Sequence, residues 1–224
     1  MGNHPGNRVN YAVLWDMDGV LVDTGEFHYQ SWAETLSGYG IALDRETFRR
    51  SFGMNNAGTL AAFLGHPPEP EALVRIVDDK ERAFLKAIAG KARLLPGVLG
   101  TLQLLKAEGA PMAIASSAPE ANIQALVKEL RLQGYFAAIL SGSEMPGKPD
   151  PAVFLAAARR LEFPPERCVV VEDSIAGVEA ARRAGMKCIA VTTTNPGEAL
   201  QAADIVVSSL ADLEEGAFLR LAAG

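Results

Sequence analysis

Residues 11–20 read YAVLWDMDGV, an apolar run that ends in two aspartates and a glycine. A short run of this kind predicts a strand at residues 11–17 that is buried on both faces of a parallel sheet. Asp16 and Asp18 can share one site, because side chains two positions apart on extended backbone point the same way. Parallel sheets bind their ligands where the strands end. The stretch therefore predicts a fold and a site, although acidic turns of this form also occur without a function.

The same pattern recurs along the chain, where helical stretches alternate with short apolar runs. Further strands are predicted at residues 112–115, 138–140, 168–171, 188–191 and 204–207. Amphipathic helices are predicted at residues 96–108, 119–132, 151–161 and 174–184. This alternation is typical of parallel strands joined by crossover helices. The predicted fold is α/β, a Rossmann-like parallel sheet with helices on both faces.

Residues 25–95 break this rhythm, because they contain helical patterns and no convincing strand. Helices are predicted at residues 26–37, 45–51, 57–64 and 69–89, with Asp44 as an N-cap. A helical block after the first strand predicts a second, inserted domain. We expect a catalytic core formed by residues 1–24 and 96–224, and an all-helical domain at residues 25–95.

Composition argues against several classes of protein. The net charge of −6 is unsuited to a nucleic-acid groove, which needs clustered Lys and Arg. No apolar run reaches the ~18 residues of a membrane span, and residues 1–10 lack a secretion signal, so we expect no membrane partner and a cytoplasmic location. Cys168 and Cys188 each begin an apolar run and are predicted to be reduced core residues. Nothing in the sequence requires more than a monomer.

Three further groups of polar residues follow predicted strands. Ser116 and Ser117 precede a helix, where a hydroxyl can bind phosphate oxygens or simply cap the helix. Lys148 stands between a glycine and a proline that can hold its ammonium inward, although a single loop lysine is more often exposed. Glu172 and Asp173 can complete an oxygen-rich site suited to Mg²⁺, or can cap the next helix.

Taken together and in this order, the residues at these strand ends resemble the four motifs of the haloacid dehalogenase-like (HAD) superfamily: DMDGV at 16–20, Ser116, Lys148-Pro149 and EDS at 172–174. The resemblance spans residues 11–207 and includes the helical insert, where that superfamily carries its cap domain. Within the superfamily, the chain is most similar to the β-phosphoglucomutase-like branch of sugar-phosphate phosphatases and mutases. Asp23-Thr24, His28 and Trp32 add to this likeness.

The resemblance implies a mechanism. Asp16 would be the nucleophile that forms an aspartyl-phosphate, and Asp18 would act as general acid and base. Lys148 would offset the charge of the phosphoryl group. Ser116 and the backbone of Ser117 would bind its oxygens.

The resemblance also implies Mg²⁺ as the cofactor. Its ligands would be the Asp16 carboxylate, the Asp18 backbone carbonyl and Asp173, with Glu172 joining directly or through water. In the cap, His28 and Asn56 are candidates for substrate contact, although His28 is interpreted equally well as a helix residue packed near the hinge.

The expected function is a Mg²⁺-dependent phosphatase that hydrolyses a small phosphorylated metabolite, a sugar phosphate. A β-phosphoglucomutase-type mutase is the first alternative, but the similar mutases carry a cap arginine where this chain reads Gly53-Met54-Asn55-Asn56. Other cap bases exist, and a solvated helix face is expected for most of them: Arg45, Arg49, Arg50, Arg75 and Lys80. A catalytically silent binding protein on this fold, or a phosphonate hydrolase with a Schiff-base lysine in its cap, are further alternatives.

Overall fold

The computed structural model describes residues 9–223 and confirms the predicted fold class. Six strands form one parallel sheet: β1 (Ala12–Trp15), β2 (Met112–Ser116), β3 (Ala138–Ser141), β4 (Cys168–Glu172), β5 (Lys187–Val191) and β6 (Ile205–Val207). Their spatial order is β3-β2-β1-β4-β5-β6. The first strand therefore lies inside the sheet, between β2 and β4.

The inner strands are apolar because both of their faces are covered. All residues of β1, β2 and β4 are buried, whereas the edge strands β3 and β6 are only half-buried. Leu14 pairs with Ala113 on one side and with Val170 on the other. The polar residue that follows β1 consequently emerges from the most enclosed part of the sheet.

Residues 25–88 form four helices between β1 and β2: α1 (Gly25–Gly38), α2 (Arg45–Ser51), α3 (Asn56–Leu64) and α4 (Pro70–Ile88). They share a hydrophobic cluster of their own, built from Trp32, Leu36, Phe48, Phe52, Leu60 and Ile76. Asp44 is the N-cap of α2, since its carboxylate accepts a hydrogen bond from Thr47 N at 2.8 Å. The chain enters and leaves this insert side by side, because Leu95 N donates to Leu21 O at 3.1 Å.

Five helices cover the sheet: α5 (Val98–Glu108), α6 (Glu120–Glu129), α7 (Ala152–Leu161), α8 (Ile175–Arg183) and α9 (Ala217–Ala223). Leu102, Ile123 and Phe218 pack against one face of the sheet, and Phe154 and Val178 against the other. Helix α9 was not among the predicted helices, because its seven residues are too few to display a helical period.

Both cysteines are buried free thiols, which confirms their prediction as reduced core residues. Among residues 9–223, none of the helices combines the length and the apolarity needed to cross a membrane.

Candidate active site

The polar residues predicted at strand ends meet at the carboxyl edge of the sheet. Asp16 directly follows β1, Ser116 ends β2, and Glu172 ends β4 with Asp173 next to it. Lys148 reaches the same place from the loop between β3 and α7. At most 3 % of each of these five residues is exposed. Their burial follows from the strand order, because β1 lies between β2 and β4.

Lys148 joins two of the carboxylates. Its ammonium donates to Asp16 Oδ1 and to Glu172 Oε1, each at 2.6 Å. Burial alone would lower the pKa of Lys148, but attraction to these two carboxylates outweighs burial and raises the pKa. The ammonium therefore stays charged, and it lies directly against the residue that follows β1.

The acidic residues fit a divalent cation. Asp16, Glu172 and Asp173 each offer a carboxylate oxygen, and these oxygens lie within 4.8 Å of one another. Asp173 Oδ1 is buried and has no hydrogen-bond partner among residues 9–223, an arrangement that is costly for a carboxylate. Burial, reinforced by the neighbouring carboxylates, raises the pKa of Asp16 to about 8 and that of Asp173 well above its usual range. A cation that prefers oxygen ligands would supply the missing partner.

Glu172 is better suited to hold the site together than to bind a cation directly. One of its oxygens accepts from Lys148, and the other accepts from Asp173 N, Ser174 N and Ser174 Oγ at 2.9–3.0 Å. Gly177 lies against this carboxylate so closely that a Cβ there would overlap Glu172 Oε1. Of the residues predicted to bind the metal by their side chains, Asp16 and Asp173 therefore have the freer oxygens.

The side chain of Asp18 is held by Thr24, which directly precedes the insert, and by His28 of helix α1. Its Oδ1 accepts from Thr24 Oγ1 at 2.7 Å and bonds with His28 Nε2 at 3.1 Å. Burial would raise the pKa of Asp18, but His28 and the Thr24 hydrogen bond outweigh burial and lower the pKa. Asp16 and Asp18 line the same cleft, with pKa values shifted in opposite directions.

A buried lysine stands behind this histidine. Lys80 Nζ donates to His28 Nδ1 at 3.0 Å and to Glu81 Oε1 at 2.8 Å. Burial and the Lys80 charge lower the pKa of His28, so its ring is neutral at pH 7. Because Nδ1 accepts from Lys80, the ring proton lies on Nε2 and is donated to Asp18. The His28 ring also stacks on the Phe84 ring, with 4.0 Å between the ring centroids.

The expectation of a solvated face is wrong for Lys80. The side chains of Arg45 and Arg49 are exposed and pair with Glu26 and Glu46, whereas Lys80 is 2 % exposed. The sequence did contain a signal, since Ile76, Lys80, Phe84 and Ile88 recur every four residues and are all buried. A lysine in the apolar stripe of a helix marks a charge that needs a buried partner.

The remaining predicted residues lie around a cleft between the insert and the sheet. Ser117 Oγ donates to Gly53 O at 2.7 Å. Its hydroxyl thus ties the core to the insert, and its backbone N–H is the group left for a ligand. Ser116 Oγ accepts from Ala118 N at 3.1 Å. Asn56 lines the cleft, but its amide donates to Glu81 Oε1 at 2.9 Å.

The covered parallel sheet, its helical insert and the buried carboxylate cluster define an α/β protein with a candidate active site at the carboxyl edge of its sheet. The chain belongs to the haloacid dehalogenase-like hydrolase family, whose profile matches residues 12–185. The phosphorylated carbohydrates phosphatase of Thermotoga maritima is 32 % identical to the chain, over 87 % of it and 92 % of the relative.

Two solved structures have the same fold over nearly the whole chain. The β-phosphoglucomutase of Clostridium difficile matches with a TM-score of 0.85 at 25 % identity, covering 95 % of this chain and 97 % of that one. A CbbY variant from Rhodobacter sphaeroides, in complex with xylulose-1,5-bisphosphate, matches with a TM-score of 0.81 at 31 % identity, covering 91 % and 96 %. These likenesses confirm the predicted superfamily and its β-phosphoglucomutase-like branch.

Proposed function

We propose that this phosphoric monoester hydrolase removes phosphate from a small phosphorylated metabolite, a sugar phosphate, through Asp16 as nucleophile. The observation that carries the proposal is the buried ion pair of Asp16 with Lys148, next to an Asp173 oxygen that has no hydrogen-bond partner within residues 9–223. A carboxylate in contact with a fixed ammonium can approach a phosphate that would otherwise repel it. The phosphatase name of the Thermotoga maritima relative supports the same reaction class.

The first step is attack of an Asp16 oxygen on phosphorus, which forms an aspartyl-phosphate and breaks the bond to the leaving oxygen. Lys148 stays charged throughout and neutralises part of the phosphoryl charge. The Ser116 hydroxyl and the Ser117 backbone N–H bind phosphoryl oxygens at the edge of β2. The second step is attack of water on the phosphoenzyme, which releases phosphate and restores the carboxylate.

Mg²⁺ is the proposed cofactor, held by Asp16, Asp173 and the Asp18 backbone carbonyl. When bound, it offsets the negative charge that nucleophile and phosphate bring together. Glu172 holds Lys148 and the loop that carries Asp173 in place.

Asp18 is the proposed general acid and base. Thr24 and His28 orient its carboxylate, and its lowered pKa keeps the base form ready for water in the second step. In the first step, the negative charge of the bound phosphate repels the Asp18 carboxylate and raises its pKa. Asp18 can then be protonated and donate that proton to the leaving oxygen. The neutral His28 and the Lys80 Nζ that donates to it extend this positioning into the insert.

We propose that residues 25–95 act as a cap on a core of residues 1–24 and 96–224. Two hydrogen bonds join the two parts around the cleft. Ser117 Oγ donates to Gly53 O, and Asn55 Nδ2 donates to Met145 O at 3.0 Å. A closed cap excludes bulk water and commits the phosphoenzyme to the water that Asp18 activates. A monomeric state, a cytoplasmic location and the absence of nucleic-acid and membrane partners stay predictions.

The alternative of a phosphonate hydrolase has some support, because Lys80 lies in the cleft. Burial lowers the pKa of Lys80, which favours the free amine that a Schiff base needs. Its Nζ is held by His28 and Glu81, however, and would have to leave both to attack a carbonyl. Borohydride trapping with phosphonoacetaldehyde separates the two functions, since the phosphatase leaves no adduct on Lys80.

The deciding experiment is phosphate release with Mg²⁺ from a panel of sugar phosphates and nucleotides, with Asp16→Asn as the blank. We expect release from sugar monophosphates by the wild type and none above the background rate by the variant. Isomerised hexose phosphate in the presence of a trace of bisphosphate would instead establish a mutase. If Mg²⁺ binds but no substrate is hydrolysed or isomerised, the binding-protein alternative is favoured.

A further inference from the structure

We propose that Glu81 makes the cleft selective for substrates with a single phosphate and an uncharged, hydroxylated remainder, because its carboxylate repels a second anionic group. The proposal rests on the proposed function, whose substrate class it narrows. It concerns the part of the cleft that α4 of the insert contributes.

Glu81 lies where the insert meets the core. It follows Lys80 on α4, lines the same cleft as Asp16, and has 13 % of its side chain exposed. Its Oε1 accepts from Lys80 Nζ and Asn56 Nδ2, both in the insert, and its Oε2 accepts from Asn122 Nδ2 of α6 in the core. Donors on both sides of the cleft thus fix this carboxylate in place.

The same donors keep Glu81 charged. Burial would raise its pKa, but Lys80 outweighs burial and lowers the pKa. A carboxylate that is fixed, ionised and largely shielded from water acts strongly on charges nearby, because little solvent screens it.

No cation is left to receive a second phosphate on the insert side. Lys80 is the one Lys or Arg that lines the cleft among residues 9–223, and it already donates to Glu81 and His28. A second phosphate would therefore meet Glu81 and Asp18 without an arginine or a free lysine to bind it.

The rest of the insert wall suits a neutral group. Trp32, Phe48, Phe52 and Met54 line it, and apolar and aromatic surfaces pack well against the C–H faces of a sugar. Glu81 can accept a hydrogen bond from a substrate hydroxyl on its remaining lone pairs. This wall therefore favours binding of a neutral, hydroxylated group over a dianion.

This selectivity distinguishes the chain from a relative that binds a bisphosphate and from the mutase reaction. The CbbY structure from Rhodobacter sphaeroides contains a bisphosphate, and a phosphosugar mutase must turn a bisphosphate intermediate in its cleft. A cleft that rejects the second phosphate favours release of a monophosphate's phosphate to water.

The test compares matched substrates: fructose 6-phosphate and fructose 1-phosphate against fructose 1,6-bisphosphate, and glucose 6-phosphate against glucose 1,6-bisphosphate. For the wild type we expect kcat/KM to favour the monophosphate by about tenfold or more within each pair. Glu81→Gln should narrow that ratio by about tenfold. Asp78→Asn, which removes the same charge from an exposed position of α4, should leave the ratio unchanged.

A charge-swapped variant, Glu81→Gln with Asn122→Asp, separates charge from structure. It returns a carboxylate to the same contact, so we expect the wild-type preference to return with it. Equal or better use of the bisphosphate by the wild type, or a swapped variant as tolerant as Glu81→Gln, would overturn the proposal. If none of these sugars is hydrolysed, affinities of the same pairs for Asp16→Asn with Mg²⁺, measured by calorimetry, decide the selectivity separately from the phosphatase function.

Discussion

At the scale of single residues, two aspartates of one short motif end in opposite environments. Burial and the neighbouring carboxylates raise the pKa of Asp16 to about 8, although the contact with Lys148 opposes this shift. Asp18 is held by Thr24 and His28, which lower its pKa. Titratable neighbours with diverging pKa values are typical of an active site in which the two groups have different tasks.

Replacing Asp18 by Asn should separate catalysis from metal binding. We expect kcat to fall by about 10²–10⁴-fold, because the proton transfer is lost. Mg²⁺ affinity should change little, since the Asp18 carboxylate faces Thr24 and His28 rather than the acidic cluster. Single-turnover kinetics and calorimetry with Mg²⁺ measure the two quantities. A rate near wild type would assign the proton transfer to another group.

The raised pKa of Asp16 predicts that the stability of the metal-free protein, prepared with a chelator, depends on pH. The folded pKa of about 8 exceeds the unfolded value of roughly 4, so the folded state binds more protons between these values. The resulting stability is complete below pH ~4 and is lost as pH rises through about 8. The Tm of the metal-free protein should therefore fall more between pH 6 and 9 for the wild type than for Asp16→Asn, and Mg²⁺ should reverse the difference. Parallel Tm curves for the two proteins would contradict this linkage.

The residues of the site could be predicted from the sequence wherever they follow strands. Asp16, Ser116 and Glu172 were found because apolar runs end beside them. The contact of Lys80 with His28 could not be predicted, because 52 residues separate the pair and only the packing of α1 on α4 brings them together. The four-residue spacing of buried residues around Lys80 was present in the sequence, but the prediction of a solvated face overlooked it, and the spacing alone does not identify the partner.

At the scale of elements, the start of α8 supports the end of β4. Glu172 folds back over the first turn of α8, where Gly177 leaves room for its carboxylate. The helix begins with Ser174 as N-cap, whose Oγ accepts from Gly177 N at 2.9 Å and donates to Glu172. The Glu172 carboxylate thus links the end of β4 to the N-cap of α8 and to Lys148.

Gly177→Ala should therefore be destabilising although alanine favours helices. Its Cβ would overlap Glu172 and displace the partner of Lys148, so we expect a loss of about 1–3 kcal/mol and of most activity. Gly100→Ala is the matched control. This glycine lies in α5 with open space around it, so the variant should gain about 0.5–1 kcal/mol. Urea unfolding and phosphate release measure both, and equal stabilisation of the two variants would show that Glu172 moves without cost.

At the scale of the whole molecule, the insert and the core are joined around the cleft by a few polar contacts. Asn55 has two roles, since Oδ1 caps α3 through Gly58 N at 3.0 Å and Nδ2 donates to Met145 O of the core at 3.0 Å. These polar contacts lie at the cleft, whereas Phe84 and Ile88 of α4 pack into the apolar cluster of the core. We therefore expect the cleft side to open about this apolar contact.

Asn55→Asp should weaken closure while keeping α3 intact. Aspartate caps a helix as well as asparagine does, but it presents an oxygen to the Met145 carbonyl, at a cost of about 1–3 kcal/mol. We expect a raised KM, a larger radius of gyration in small-angle scattering and an unchanged helix content. Asp44→Asn makes the reverse exchange at the N-cap of α2, within the insert, and should alter none of these. A KM equal to the wild type would show that other contacts decide closure.

The order of the strands has a consequence for how the chain acquires its shape during synthesis. Strand β1 is synthesised before the other five strands, yet its pairing partners are Met112 to Ile114 and Cys168 to Val171. Contacts so distant in sequence form slowly, and β1 stays unpaired on one side until residues 168–171 have been synthesised. The helical insert, whose partners are local, can become ordered earlier. We infer that the nascent chain exposes one edge of the wholly apolar strand β1 until β4 has been synthesised.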